Sequence, residues 1–166
     1  METKSLNTAI RWANLKRVLE EFAEYFITAY RDNLEGFDAN ASGKLSKSLK
    51  YEIKSGASFL AVDVSLLHYW KYVEYGRRAG GKMPPISAIE RWIRVRKIVP
   101  YANNGRVPTI KQLAFLIARK IAVEGIKPRS IFATSLDEAV AEFERAIEGA
   151  ITQDIEEVVD IELLIL

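Results

Sequence analysis

Residues 72–81 have the sequence YVEYGRRAGG, and we expect the fold to depend on this segment. It joins an apolar segment with helical spacing, ending near Tyr75, to a loop with two arginines and the glycines Gly76, Gly80 and Gly81. Glycine adopts backbone conformations that strain other residues, so the stretch predicts a helix end followed by a tight turn. Read one residue further, to Lys82, the loop also spells G-x-x-x-x-G-K.

That pattern does not predict a nucleotide site. A phosphate-binding loop needs Ser or Thr after the lysine, a helix beginning at the loop, and a buried strand before it. Here Met83-Pro84-Pro85 follows, and the preceding segment has helical spacing. A flexible basic loop is the better interpretation.

Upstream of the loop, the pattern predicts a long amphipathic helix over Leu6–Leu34 that ends at Gly36. A short helix follows over Ser42–Leu49, with Leu45 and Leu49 pointing inward. Alternating apolar residues then predict a hairpin of two strands, at residues 51–54 and 58–64. Helical spacing returns over Ser65–Tyr75.

Downstream, three capping boxes of the form S/T-x-x-E/Q predict helix starts at Ser87, Thr109 and Ser135. Residues 130–133 are expected to be extended between the last two helices. The final segment, 155–166, is compatible with a strand or a helix end. Its last four residues are so apolar that we expect them to be buried by the chain itself or by a partner.

These elements predict an α+β fold, in which a long N-terminal helix and several other helices pack on a small antiparallel sheet. We expect a single domain over 1–166. It would comprise a long helix over 1–36, an α+β core over 42–134, and an acidic C-terminal helix with an apolar tail over 135–166.

The small net charge of +2 conceals a strong asymmetry. Residues 44–129 hold 18 Lys and Arg against 5 Asp and Glu, whereas residues 130–166 hold 1 against 10. The basic region of one copy could therefore meet the acidic end of another, which favours head-to-tail rings. Alternatively, the acidic helix packs beside the basic region of its own chain.

Nothing in the sequence predicts catalysis, a metal or a cofactor. The chain has no cysteine, and His68 is its one histidine, so thiolate sites and histidine clusters are excluded. Asp154 and the acidic residues after it have the spacing of a solvated face or an interface rather than of metal ligands. Since no apolar run approaches the ~20 residues of a membrane span, we expect no membrane partner, and no small-molecule substrate is indicated.

Basic and aromatic residues lie close together after the glycine loop. Arg91, Arg94, Arg96 and Lys97 flank Trp92 on the next predicted helix. Such a set could neutralise phosphates without reading sequence, so a sequence-nonspecific nucleic-acid-binding protein is the alternative function. Solvated or inter-subunit charge is the other interpretation.

The order of motifs resembles the tail-completion, or neck, proteins of tailed bacteriophages, which include head–tail joining and minor tail proteins. The resemblance covers roughly residues 42–140. It rests on S-G-x-L-x-x-S-L at 42–49, Y-V-E-Y-G at 72–76, A-F-L-I-A-R-K-I-A-V-E-G at 114–125 and I-K-P-R-S-I-F at 126–132. The family commonly has a second proline where this chain has Ser130-Ile131, and residues 77–82 and 100–107 look distinctive.

The resemblance implies a structural virion protein, assembled in the host cytoplasm, that is not an enzyme. It implies an oligomeric ring of about six or twelve subunits at the head–tail junction. Its partners would be connector or portal-side proteins, tail-tube proteins, and duplex DNA that passes through the channel without recognition of its base sequence. In that setting Glu74 could pair with a basic residue across a subunit boundary. The candidate subunit or channel contacts are Glu74, Arg77, Arg78, Lys82, Arg91, Arg94, Glu156, Glu157 and Asp160.

Overall fold

The computed structural model describes residues 11–56, 59–102 and 105–164, with the backbone alone at 161–164. In this part of the chain six helices accompany one two-stranded sheet, which confirms the predicted α+β class. The elements are α1 (Ala13–Gly36), α2 (Lys44–Ser48), β1 (Lys50–Ser55), β2 (Leu60–Ser65), α3 (Trp70–Glu74), α4 (Ile86–Val95), α5 (Ile110–Glu124) and α6 (Ile131–Leu164).

The chain divides into two compact units of opposite charge. We call Met1–Ala29, Lys50–Ser65 and Ser135–Leu166 the acidic unit, because it holds 7 Lys and Arg against 16 Asp and Glu, a net charge of −9. We call Tyr30–Leu49 and Leu66–Thr134 the basic unit, because it holds 17 against 6, a net charge of +11. Both long helices, α1 and α6, contribute residues to each unit.

The acidic unit contains the hairpin and most of the two long helices. Strands β1 and β2 pair antiparallel, with Ile53 opposite Val62 and Tyr51 opposite Val64. The half-buried positions alternate along both strands, as the period-two pattern predicts. The Tyr51 hydroxyl donates to Oε1 of Glu24 on α1 at 3.3 Å, and Phe143 of α6 contacts the ring of Phe22 on α1 edge to face at 5.9 Å.

The basic unit contains the short helices together with the end of α1 and the start of α6. Helices α4 and α5 pack against each other. Ile93 of α4 and Ala114 and Ala118 of α5 are all completely buried. Leu45 and Leu49 are also buried, as predicted for the short helix α2.

Helix starts were predicted correctly only where the cap is local. Thr109 forms its capping box with Gln112, and α5 ends at Gly125 as expected. Ser87 forms no cap, because α4 already begins at Ile86 after Pro85. The start predicted at Ser135 is also wrong, since α6 begins at Ile131 and leaves Ser135 inside the helix.

Other boundaries differ by a turn or more. Arg11 and Trp12 precede α1, and the earlier part of its predicted span lies outside the described residues. Helix α3 begins only at Trp70, five residues after the predicted start. Of the two alternatives left open for residues 155–166, the structure has the helix, which extends to Leu164. The predicted docking of the last four side chains lies outside the described residues.

Candidate interaction surface

Two glycines hold the motif of residues 72–76 against the segment after α5. Arg77 and Ile126 form an isolated antiparallel bridge, with both N···O distances at 2.8 Å. A Cβ on Gly76 would lie 2.1 Å from the carbonyl oxygen of Ile126, and one on Gly125 would lie 2.2 Å from that of Arg77. Both glycines have positive φ, +65° and +78°. We call this reciprocal arrangement the glycine clasp, because a side chain on either glycine would force the two segments apart.

The glycine loop, which the sequence predicts to be flexible, is bonded to the rest of the basic unit at several points. Besides the clasp, the amide of Gly80 donates to the carbonyl of Ala122 at 2.8 Å. The Arg77 guanidinium donates across the loop to the carbonyl of Lys82. No helix begins at the loop, because α4 starts only at Ile86, and this agrees with the rejection of a nucleotide site.

Glu74, at the end of α3, caps the N-terminus of α6. Its Oε2 accepts from the amide of Phe132 at 2.7 Å, and its Oε1 accepts from that of Ala133 at 3.1 Å. A carboxylate at this position satisfies two free amides and lies at the positive end of the helix dipole. Glu74 is only 5% exposed, so its carboxylate is used inside the chain rather than offered at the surface.

The Glu74 cap also explains why α6 starts one turn early. Ser130 precedes the helix with a φ of +50°, and its amide donates to the carbonyl of Glu74 at 3.2 Å. The distant carboxylate thus replaces the local box expected at Ser135. Phe132 packs beside it, with its ring 5.2 Å from Trp70 and 5.9 Å from Tyr30. Burial, and then the nearby Glu74, raise the pKa of Tyr30 to about 12.

A second buried carboxylate caps α1 in the acidic unit. Asp154 accepts from the amides of Asn14 and Leu15 at 3.0 and 2.9 Å, and from the Asn14 side chain at 2.9 Å. Asp154 is 1% exposed within its own chain, so its predicted place on a solvated face or an interface is wrong. The signal was present in the sequence, because four- and three-residue steps from Phe143 through Ile147 and Ala150 lead to position 154.

An open groove of about 560 Å³ lies on the basic unit between α3, α4, α5 and the glycine clasp. Isoleucines 117, 121 and 126 line it together with Tyr72, Trp92 and Arg77. Tyr72 is 57% exposed and Trp92 40%, so these rings present a large apolar area to water. A recess adjoins the groove and shares with it the lining residues Tyr72, Trp92 and Ile126. Its lining also includes Arg96, Lys127 and Arg129.

Two of these cations bind the end of α1 within the basic unit. Arg129 donates to the carbonyl of Phe37 at 2.5 Å, and Arg96 contacts both the carboxylate and the carbonyl of Asp38. Cations at the C-terminus of a helix are stabilised by its dipole. The Nε of Arg96 is nevertheless buried without a hydrogen-bond partner, and Lys127 is exposed.

The predicted contact residues fall into three groups. Glu74 is internal, and Arg77 is partly buried beside the groove. Arg78, Lys82, Arg91 and Arg94 are exposed on the basic unit, and Arg94 lies 3.3 Å from Glu90. Glu156, Glu157 and Asp160 are exposed on α6 in the acidic unit. The prediction missed the apolar groove, because its lining comes from four separate segments of the chain.

Within the described ranges no three His, Cys, Asp or Glu residues are grouped as metal ligands would be. His68 is exposed beside Tyr69, with the two ring centres 6.4 Å apart. No helix in the same ranges has the length and apolarity needed to cross a membrane. The chain matches no protein-family model, no curated protein and no solved structure.

Proposed function

We propose that this chain is a non-enzymatic ring subunit of a tailed-phage virion, acting at the head–tail junction around the DNA channel. The observation that carries the proposal is the opposite charge of the two compact units, −9 and +11. A subunit with one unit of each sign can bind the next copy head to tail, and such contacts form a ring where the rotation from copy to copy closes on itself.

The motifs behind the phage resemblance also have a structural role in the fold. Residues 72–76 and 125–132 come from separate parts of the sequence and meet in the glycine clasp and the Glu74 cap. Their spacing therefore serves the folding of the basic unit.

The test is charge reversal at exposed positions. Arg78→Glu with Arg91→Glu changes the basic unit by four charges without touching Arg77, whose guanidinium holds the loop. Lys50→Glu with Arg145→Glu is the matched control, since both residues are exposed in the acidic unit and neither takes part in the i,i+4 ion pairs that Lys16 and Arg17 make with Glu20 and Glu21. We expect the first pair to abolish rings or co-assembly with connector and tail-tube proteins, while circular dichroism shows an intact fold.

Normal assembly of the Arg78→Glu/Arg91→Glu protein, or equal damage by the control pair, would contradict the proposal. Assembly is read by sedimentation velocity of the chain alone and with the neighbouring head–tail proteins. Because the contact is electrostatic, assembly of the unaltered chain should also weaken as salt rises.

Sequence-nonspecific binding of nucleic acid is the second candidate, favoured by the 17 basic residues of the basic unit. It predicts that a short duplex binds with an affinity that falls steeply as salt rises. The ring proposal predicts negligible affinity for the same duplex at physiological salt. Fluorescence anisotropy over a salt series separates the two.

A further inference from the structure

The groove on the basic unit has the chemistry of a site for an aliphatic helix face with acidic neighbours. Four isoleucines line it, at positions 89, 117, 121 and 126, and the rings of Tyr72 and Trp92 beside them are half exposed. Apolar area of this kind marks an interaction site. Arg77 lines the groove, and the adjoining recess contributes the exposed Lys127 and the unpaired Nε of Arg96.

Helix α6 carries a matching face near its end. Ile155 and Val159 are 43% and 49% exposed, and they lie four residues apart on one side of the helix. Each is followed by a carboxylate, Glu156 and Asp160, and both of these are exposed. Two side chains at this spacing are about 6 Å apart, so they can enter one groove together.

We propose that the groove of one copy takes the Ile155–Val159 face of α6 from a second copy, in a head-to-tail contact. Ile155 and Val159 pack on Tyr72, Trp92 and the isoleucines of the groove, while Glu156 and Asp160 face the exposed Lys127 beside it. The inference rests on the proposed ring function and specifies its subunit contact. The argument is charge complementarity, since the face belongs to the acidic unit and the groove to the basic unit.

Nucleic acid is a poorer occupant. Binding a phosphate backbone depends on several cations that are free to pair with it. In the groove and recess, Arg96 and Arg129 already bond to Asp38 and Phe37, and Arg77 bonds to the loop. The isoleucine side chains of the groove have no hydrogen-bond donor for a phosphate, whereas they can pack against an aliphatic side chain.

The proposal is tested by mixing two variants of the full chain, each damaged on one side of the contact. Tyr72→Glu places a carboxylate in the groove, and Ile155→Glu with Val159→Glu does the same to the helix face. Because the contact joins two different surfaces, each variant alone should stay monomeric. An equimolar mixture retains one intact contact per pair, so it should give a dimer and nothing larger by sedimentation velocity.

The matched control is Leu136→Glu with Val140→Glu. These two residues are 37% and 46% exposed at the same spacing on the same helix, but only Leu136 is followed directly by a carboxylate, Asp137. The control should assemble like the unaltered chain. If Tyr72→Glu leaves assembly intact while rings still form, the groove proposal fails and the ring function stands. If the unaltered chain neither forms rings nor joins the head–tail proteins, the ring function fails.

Cross-linking gives a direct second readout, and the absence of cysteine makes it clean. Chains with Tyr72→Cys and chains with Val159→Cys should form a disulfide dimer when mixed and oxidised, at least tenfold more than with Val140→Cys. Equal yields at 159 and 140, or a disulfide within one chain carrying both Tyr72→Cys and Val159→Cys, would overturn the proposal. Duplex binding that Tyr72→Glu abolishes would assign the groove to nucleic acid instead.

Discussion

The acidic and basic units both begin a long helix at a distant buried carboxylate, but they place that carboxylate in different ways. In the acidic unit, Asp154 projects from the regular helix α6 onto the amides at the start of α1. In the basic unit, Glu74 ends the short helix α3 and is fixed by the glycine clasp, with Ser130 in a left-handed conformation beside it. One cap therefore depends on helix register, and the other on backbone conformations that few residues tolerate.

The largest expected effect comes from breaking the clasp. Gly76→Ala should destabilise the protein by about 3 kcal/mol or more, because its Cβ would lie 2.1 Å from a carbonyl oxygen at a φ of +65°. Gly80→Ala is the control, since it has a φ of +75° but no atom within 4 Å, and should cost only about 1 kcal/mol. Urea denaturation measures the loss of stability in both variants. Equal losses would mean that Gly76 is not needed for the close approach of the two backbone segments.

Removing either carboxylate should have the next largest effect. Glu74→Ala and Asp154→Ala should each lower the free energy of unfolding by about 2 to 3 kcal/mol, because each leaves two backbone amides at a helix start without an acceptor. Hydrogen exchange should separate the two, with protection lost at Phe132 and Ala133 in the first variant and at Asn14 and Leu15 in the second.

Glu74→Gln and Asp154→Asn are the matched controls for the caps. Each keeps the volume of the side chain and one acceptor oxygen, so each should lose only about half as much stability as the alanine variant. If Glu74→Ala left the amides of Phe132 and Ala133 as protected as before, the cap would not determine where α6 begins.

The contrast between local and distant caps also explains what the sequence could predict. The Thr109 box was readable because Gln112, its partner, lies three residues away. The start of α6 was not, because its cap lies 58 residues upstream, and that of α1 lies 140 residues downstream. The groove was hidden for the same reason, whereas the charge asymmetry of the two units was visible in composition alone.

Alkaline pH should act on the basic unit through Tyr30. Its pKa of about 12 in the folded chain exceeds the usual value near 10, so the unfolded state loses the phenolic proton first. Stability is therefore intact below pH ~10 and falls by about 2 kcal/mol as pH rises towards ~12. Tyr30→Phe should flatten this fall in denaturation curves measured across that range. If the stability of the Tyr30→Phe variant fell with pH as steeply as that of the unaltered chain, the fall would be due to other titratable groups.

The smallest effect, and the one of opposite sign, is expected from a glycine of the acidic unit. Gly149 lies inside α6 and is exposed, and a Cβ built there meets no atom within 4 Å. Gly149→Ala should therefore raise the free energy of unfolding by about 0.5 to 1 kcal/mol, because alanine favours the helix and restricts the unfolded chain. Thermal denaturation should show a small rise in Tm. A destabilised variant would mean that α6 needs its glycine too, and the dependence on glycine would then no longer distinguish the basic unit from the acidic one.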